Sequence, residues 1–303
     1  QITGLANLAG GTMRGVQLAG ISNISGNNTV GLSAAGLVNI TGDRTQGVII
    51  SGLTSIGGDN TSGLMISGFM NVTGNMASGL HFSGAANITG QSFGGLMASG
   101  LLNVVGEHMN GLQMAGIANI TASKLNGVQI ALCNYATQAR GLQIGLVNYY
   151  KEDMKGFQLG LVNANPDTRV QMMVYGGNAT PANIGVRFKN QLFYTILGIG
   201  SMYQGLNDKF SASASYRAGL SFTLYKGLSI SGDLGYQHIE AFDNKDEVIP
   251  KRLYALQARA NLEYQFTRKF GIFATGGYGL TRFYNKSSNY DKGAIIEAGI
   301  VLF

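Results

Sequence analysis

GLMISGFMNVTGNMAS (63–78) and GLHFSGAANITGQSFG (79–94) are consecutive copies of one 16-residue unit. Outward from this pair, Gly15, Gly31, Gly47, Gly63, Gly79, Gly95, Gly111 and Gly127 mark seven unbroken units. Each reads approximately G-[LV]-x-h-[AS]-G-h-x-N-[IV]-T-G, with h apolar, followed by four mostly polar residues. Residues 4–14 fit the later part of a unit. Beyond Gly127 the period shortens, to 14 residues in GVQIALCNYATQAR and 15 in GLQIGLVNYYKEDMK, and GFQLGLVNANPD (156–167) closes the array. Helix-pair repeats need about 33 residues or more, so this period is too short for them. Frequent glycine with β-branched residues favours short strands joined by tight turns. A parallel β-solenoid of ten or eleven rungs, each stacked ~4.8 Å above the last, satisfies the pattern.

The columns of this stack carry the next expectations. Val16, Leu32, Val48, Leu64, Leu80, Leu96 and Leu112 form one apolar stack; the Ile24 to Ile120 and Ile21 to Ile117 columns form two more. Asn7, Asn23, Asn39, Asn71, Asn87, Asn103 and Asn119 align as an asparagine ladder, with Ser55 as its exception. Stacked asparagines can bond side chain to side chain and side chain to backbone. The N-x-[ST] pattern at Asn23, Asn39 and Asn71 is therefore read as ladder, not as glycosylation. Stacked Gly20 through Gly116 supply a close bend that a Cβ would obstruct.

Within the seven regular units every formal charge falls in one turn: Asp43, Arg44, Asp59, Glu107 and Lys124. Two columns are read as outward and uncharged. One runs Gln17, Ser33, Ile49, Met65, His81, Met97, Gln113; the other runs Ser22, Val38, Thr54, Met70, Ala86, Leu102, Ala118. Soluble solenoids dress their faces with charge to limit aggregation. An uncharged, Met-rich face implies packing against a partner, another copy or a membrane. Met65, Met70, Met97 and Leu102 are its candidate contact residues.

The chain changes character near residue 149. Only four of its 28 aromatics and seven of its 36 charges lie before Tyr149 and Lys151 respectively, so two architectures share it. From about residue 168 the hydrophobic period is two. In Leu253–Phe266, Tyr254, Leu256, Ala258, Ala260, Leu262, Tyr264 and Phe266 share one side; Gln257, Arg259, Asn261, Glu263 and Gln265 share the other. Segments of this length exceed ordinary strands and match tilted membrane-spanning ones. Eight are expected, at 168–178, 183–190, 192–204, 210–225, 228–241, 252–267, 270–285 and 293–303. Tight turns (190–191, 226–227, 268–269) alternate with longer polar loops (178–183, 204–209, 243–250, 285–292).

Over roughly residues 168–303 the chain resembles the small eight-stranded outer-membrane β-barrels of Gram-negative bacteria. The resemblance implies that Phe303, ending GAIIEAGIVLF, is the terminal signal read by the barrel-insertion machinery, although its parity is that of Glu297 and Val301. GLQIGLVN (141–148) and GFQLGLVN (156–163) resemble the surface-repeat-containing outer-membrane proteins of Bacteroidota and spirochaetes, a family that implies no settled biochemical activity. The absence of tryptophan leaves Tyr and Phe to form the aromatic girdles.

Composition excludes other classes. One cysteine, Cys133, leaves no internal disulfide framework, and reads as a packed core thiol. The formal charge of +6 has no Lys/Arg cluster to bind nucleic acid. The chain opens on Gln1 without an initiator Met, which leaves room for a removed export signal. His81, read as a face residue, and His108, in the polar turn, are isolated. His238 with Asp233 or Glu240 offers a weak acid–base pair near a barrel rim. No catalytic, cofactor or metal site is assigned. Arg187, Lys189, Arg217, Asp233, Arg259, Glu263 and Glu297 fall on the polar side of the strands and are read as a paired network filling the lumen.

The sequence thus implies an all-β chain: a β-solenoid at 1–165, then an eight-stranded antiparallel transmembrane barrel at 166–303. The expected function is non-enzymatic: the barrel, seated in outer-membrane lipid, anchors a rigid scaffold surface for envelope proteins or self-association, without cofactor. A surface adhesin and a narrow passive pore are the alternatives. Strand parity places the solenoid in the periplasm.

Overall fold

A computed structural model describes residues 1–190, 192–201, 203, 206, 210–242, 252–284 and 289–303, with nothing said of the Asn289 side chain. The described residues form an all-β chain with two compact units, Gln1–Gly160 and Leu161–Phe303. Among them no helix is long and apolar enough to cross a membrane.

The first unit is a parallel solenoid. In a representative rung, Asn60–Ser67 pairs with the corresponding strands of the rungs on either side, and Met70–Thr73 does the same. The register is 16 residues throughout the regular units: Leu64 pairs with Val48 and Leu80, Asn71 with Ser55 and Asn87. The longer strand bends at Gly63, whose φ is +120°. A Cβ there would be strained and would lie 2.1 Å from the Gly47 carbonyl oxygen. Gly68 turns the next corner, where a Cβ would lie 2.0 Å from the Gly52 oxygen. Each rung thus has three short sides, here 60–62, 64–67 and 70–73, with a third corner at 74–75. The shortened rungs after Gly127 are absorbed by register shifts between Thr121 and Lys124 and between Ala136 and Gln138.

These bends set which residues point inward, and they reverse part of the sequence reading. The column read as an outward face is the interior: Gln17, Ser33, Ile49, Met65, His81, Met97 and Gln113 are all buried. Met65 and Met97 are therefore core, not contact residues. The stack headed by Val16 points outward, as do the Ile21 and Ile24 columns. The reason is strand alternation. Asn71 and Val72 are neighbours in one strand, so the asparagine that enters the ladder sends the aliphatic residue outside. Met70 and Leu102 remain on the outside, half-buried. Cys133 shares their column and is exposed rather than packed in the core.

The second unit is a closed antiparallel barrel of eight strands: Arg169–Gly177, Ala182–Asn190, Phe193–Ser201, Ser211–Tyr225, Leu228–Ala241, Arg252–Thr267, Phe270–Phe283 and Asn289–Leu302. Closure runs from the first strand to the last, pairing Met173 with Val301 and Tyr175 with Gly299. Turns at 226–227 and 268–269 are tight. Gln191, most of loop 204–209, and the stretches 243–251 and 285–288 lie outside the described residues.

Candidate functional site

Three surfaces carry the chemistry: the solenoid interior, the barrel lumen and the outer wall. In the solenoid, each ladder amide after Asn7 both accepts and donates. Asn7 donates to Asn23 (2.9 Å), Asn23 to Asn39 (3.0 Å), Asn71 to Asn87 (2.8 Å), Asn87 to Asn103 (2.9 Å) and Asn103 to Asn119 (3.0 Å). The same Nδ2 atoms reach backbone carbonyls, for example Asn87 to Ala98 at 2.8 Å. The ladder continues past the regular units, from Asn119 to Asn134 and from Asn134 to Asn148. Those members were missed because the period changes there, although the G-L-V-N string at 145–148 marks one of them. At Ser55 hydroxyls bridge the gap. Ser55 bonds Ser51 (2.7 Å) and Ser67 (3.0 Å), and Ser67 donates to the Asn71 Oδ1 at 2.6 Å. A second amide ladder links Gln113, Gln129, Gln143 and Gln158, each contact 2.8 Å.

His81 stands inside this stack, edge-on to Phe93 with ring centroids 4.9 Å apart. Burial holds its imidazole down to about 4, because the cation has no water to solvate it there. His108 stays on the exposed polar turn.

The barrel lumen is ionic instead. Arg187 grips Glu263 through two bonds, at 2.5 and 3.0 Å, and also bonds Gln171. Arg217 holds Asp233 through Nε and Nη2 at 2.9 and 2.8 Å. Arg259 holds Glu297 at 3.1 and 3.2 Å, and the Arg217 Nη1 lies 3.6 Å from that same carboxylate. Three arginines thus face three carboxylates, and formal charge cancels among them. Tyr194 and Asn261 each donate to the Asp233 Oδ2 at 2.8 Å, the oxygen that also accepts from the Arg217 Nη2. Lys189, at one end, donates to Ser221 at 2.9 Å. Tyr194 and Asn261 were not singled out from the sequence; Asn261 could have been, since it lies between Arg259 and Glu263 on the same strand face. The cavity amid this network, lined by Met173, Tyr194, Ile196, Asn261 and Phe273, is about 10 Å³. That is at the lower limit for a single water.

The outer wall is apolar. Leu220, Ile230, Leu234, Leu256, Leu262 and Ile272 stand exposed around it. Aromatic rings gather at both ends of the strands: Tyr264, Phe266 and Phe270 near the tight turns, Tyr236, Tyr254 and Tyr284 near the longer loops. Tyr254 and Tyr264 are ten residues apart on one strand. At ~3.4 Å per residue and a tilt of ~40°, that is a height of about 26 Å.

No protein-family model and no curated protein matches the chain. Two solved structures resemble it weakly. The N-terminal β-barrel domain of Pseudomonas aeruginosa OprF is 16% identical, with a TM-score of 0.30, over 44% of this chain and 93% of that one. Neisserial surface protein A is 8% identical, with a TM-score of 0.29, over 44% of this chain and 92% of that one. The eight-strand closure stands on the pairing register, not on these likenesses.

Of the two carboxylates considered for His238, the structure brings Glu240 beside it and keeps Asp233 apart. Asp233 belongs to the lumen network, while His238 lies on the outer wall, so they form no pair. His238 Nδ1 lies 2.8 Å from the Tyr284 hydroxyl, and its Nε2 is 3.7 Å from Glu240, which Arg252 also engages at 3.3 Å. Among the described residues no cluster of three or more His, Cys, Asp or Glu is arranged to hold a metal. Phe303 departs from strand alternation: its φ is +77°, and its side chain is exposed although Val301 and Glu297, of the same parity, are buried. Its amide still pairs with the Lys269 carbonyl at 2.8 Å.

Proposed function

We propose that this chain is a non-enzymatic outer-membrane protein whose barrel anchors a stiff β-solenoid, the solenoid's uncharged exterior serving as a contact surface in the cell envelope. The observation that carries this reading is the barrel's outer wall, apolar between two aromatic belts about 26 Å apart, close to the ~25 Å band of outer-membrane barrels. A wall of that kind is unfavourable in water and suited to lipid. The lumen supports anchorage over conduction, since the paired ions and Tyr194 leave a cavity of only about 10 Å³ between them.

Detergent-extracted protein is expected to migrate faster on gels unboiled than boiled, because a folded barrel resists unfolding by detergent. Identical migration would overturn the membrane reading. Reconstituted liposomes are expected to show no conductance above background; stepwise conductance would replace the anchor by the passive pore. With Met65 and Met97 inside the solenoid, Met70 and Leu102 become the contact residues to substitute by Lys. Protease treatment of intact cells tests the periplasmic placement, which cleavage within 1–140 without lysis would exclude in favour of an adhesin-like display.

A further inference from the structure

The solenoid is an amphipathic prism, and its apolar part is a ridge. The second and third sides of each rung meet at a corner occupied along the stack by Ile21, Leu37, Leu53, Phe69, Leu101 and Ile117, which are 42–54% exposed, with one interruption at the small, buried Ala85. Leu80 and Ile66 on the second side and Ile56 on the third are exposed as well. The first side and the corner before it hold all the formal charge of residues 1–140. There Arg14 shares a column with Gln46 and Ser62, Arg44 pairs with Asn60, and Lys124 with His108. The formal charges and most of the exposed aliphatic surface therefore lie on different parts of one contour, although the rungs between Asp59 and Glu107 carry no charge and Met76 is exposed on the first side.

The ridge also meets the requirement that lipid places on a backbone, namely that its polar groups be satisfied internally. Leu53 donates to the Leu37 carbonyl at 2.9 Å, Phe69 to Leu53 at 2.8 Å and Ile117 to Leu101 at 3.0 Å. Those carbonyls accept a second bond from the following residue, as Met70 donates to Leu53 at 3.0 Å.

We propose that the solenoid lies along a lipid surface, with the ridge and its flanking sides among acyl chains and the charged side in water. It would bind as an amphipathic helix binds an interface, through buried apolar area on one face only. A bilayer fits better than a second copy because the surface is convex. Two such ridges touch along a line, whereas fluid chains close around one. This inference rests on the barrel being membrane-embedded. The two units are consecutive in the chain, so a membrane holding the barrel is within reach of the solenoid.

The chain contains no tryptophan, so one introduced ring reports its own surroundings. Phe69→Trp and Leu101→Trp place it on the ridge, Gln91→Trp on the charged side, and Ile230→Trp on the barrel wall; two ridge variants guard against one misfolding, checked by circular dichroism. The full chain is reconstituted in phosphatidylcholine vesicles with and without brominated acyl chains. Bromine is expected to quench the ridge reporters to the same extent as Ile230→Trp, and to leave Gln91→Trp nearly unquenched. Unquenched ridge reporters beside a quenched Ile230→Trp overturn the lipid contact while sparing the barrel reading. A blue-shifted but unquenched ridge reporter indicates protein, such as a second copy, and also overturns it. Equal quenching at Gln91→Trp overturns the one-sided placement. An unquenched Ile230→Trp overturns the barrel reading and this proposal together.

Discussion

The solenoid and the barrel both bury many polar side chains and expose many aliphatic ones, yet the polar parts of their interiors differ in chemistry. The barrel uses ions: Arg187 with Glu263, Arg217 with Asp233, Arg259 with Glu297. The solenoid interior uses amides, hydroxyls and neutral apolar groups, with Asn over Asn and Gln over Gln. The difference follows from how each interior is assembled. A solenoid places each residue directly over its own counterpart one rung away, so a charged column would stack like on like at ~4.8 Å. At an effective dielectric of about 20, each such contact costs roughly 3.5 kcal/mol. An amide carries donor and acceptor together and complements itself. Barrel closure instead brings together strands far apart in sequence, so unlike partners can face each other across the lumen.

Removing half of an ion pair should expose this contrast most strongly. Arg187→Met leaves Glu263 buried without its cation and is expected to cost about 3–5 kcal/mol, read as a lowered urea midpoint in detergent. The double variant Arg187→Met with Glu263→Leu should recover most of that loss. A single variant as stable as the parent would show that the lumen is hydrated and the pair dispensable.

The solenoid's intolerance of charge has a pH signature at His81. Its folded value of about 4 lies below the ordinary 6.5, so the unfolded chain binds a proton that the folded one refuses. Stability is therefore full above about pH 6.5 and falls as pH drops towards 4, by up to about 3 kcal/mol at ~1.4 kcal/mol per unit. His81→Met, a residue its own column already uses at Met65 and Met97, should flatten this slope in solenoid unfolding curves. A slope that survives the substitution must come from another group.

Asn87→Leu tests the ladder itself. It orphans the Asn71 amide and the Asn103 acceptor, and an expected loss of about 1–3 kcal/mol should appear as a lower solenoid unfolding temperature. The smallest effect is expected at Ser55→Asn. It extends the ladder across its one gap while displacing the serine relay, so the change should stay within about 1 kcal/mol; a larger loss would mean that Ser51 and Ser67 leave no room for an amide.

Much of the architecture was legible because both halves repeat. Gly63 and its equivalents announced the rung, and the alternation around Gln257, Arg259, Asn261 and Glu263 announced the barrel wall. The misreadings were of facing: one buried column is read as an outward face, and Cys133 as a core thiol. Val16, Leu80 and Leu101 were stacked correctly but are on the outside, whereas Met65, His81 and Met97 belong inside. The clue was present, since Asn71 and Val72 cannot both point inward from one strand. Phe303 shows the reverse: its parity was read correctly, but a residue with φ of +77° no longer obeys alternation.

By itself, then, the sequence determined period, strand content and the columns of residues that stack, because these depend only on spacing along the chain. Only the tertiary structure decided which columns face the interior and which arginine meets which carboxylate. A glycine at positive φ resets the alternation within each rung, and closure of the barrel fixes a register that no local pattern encodes.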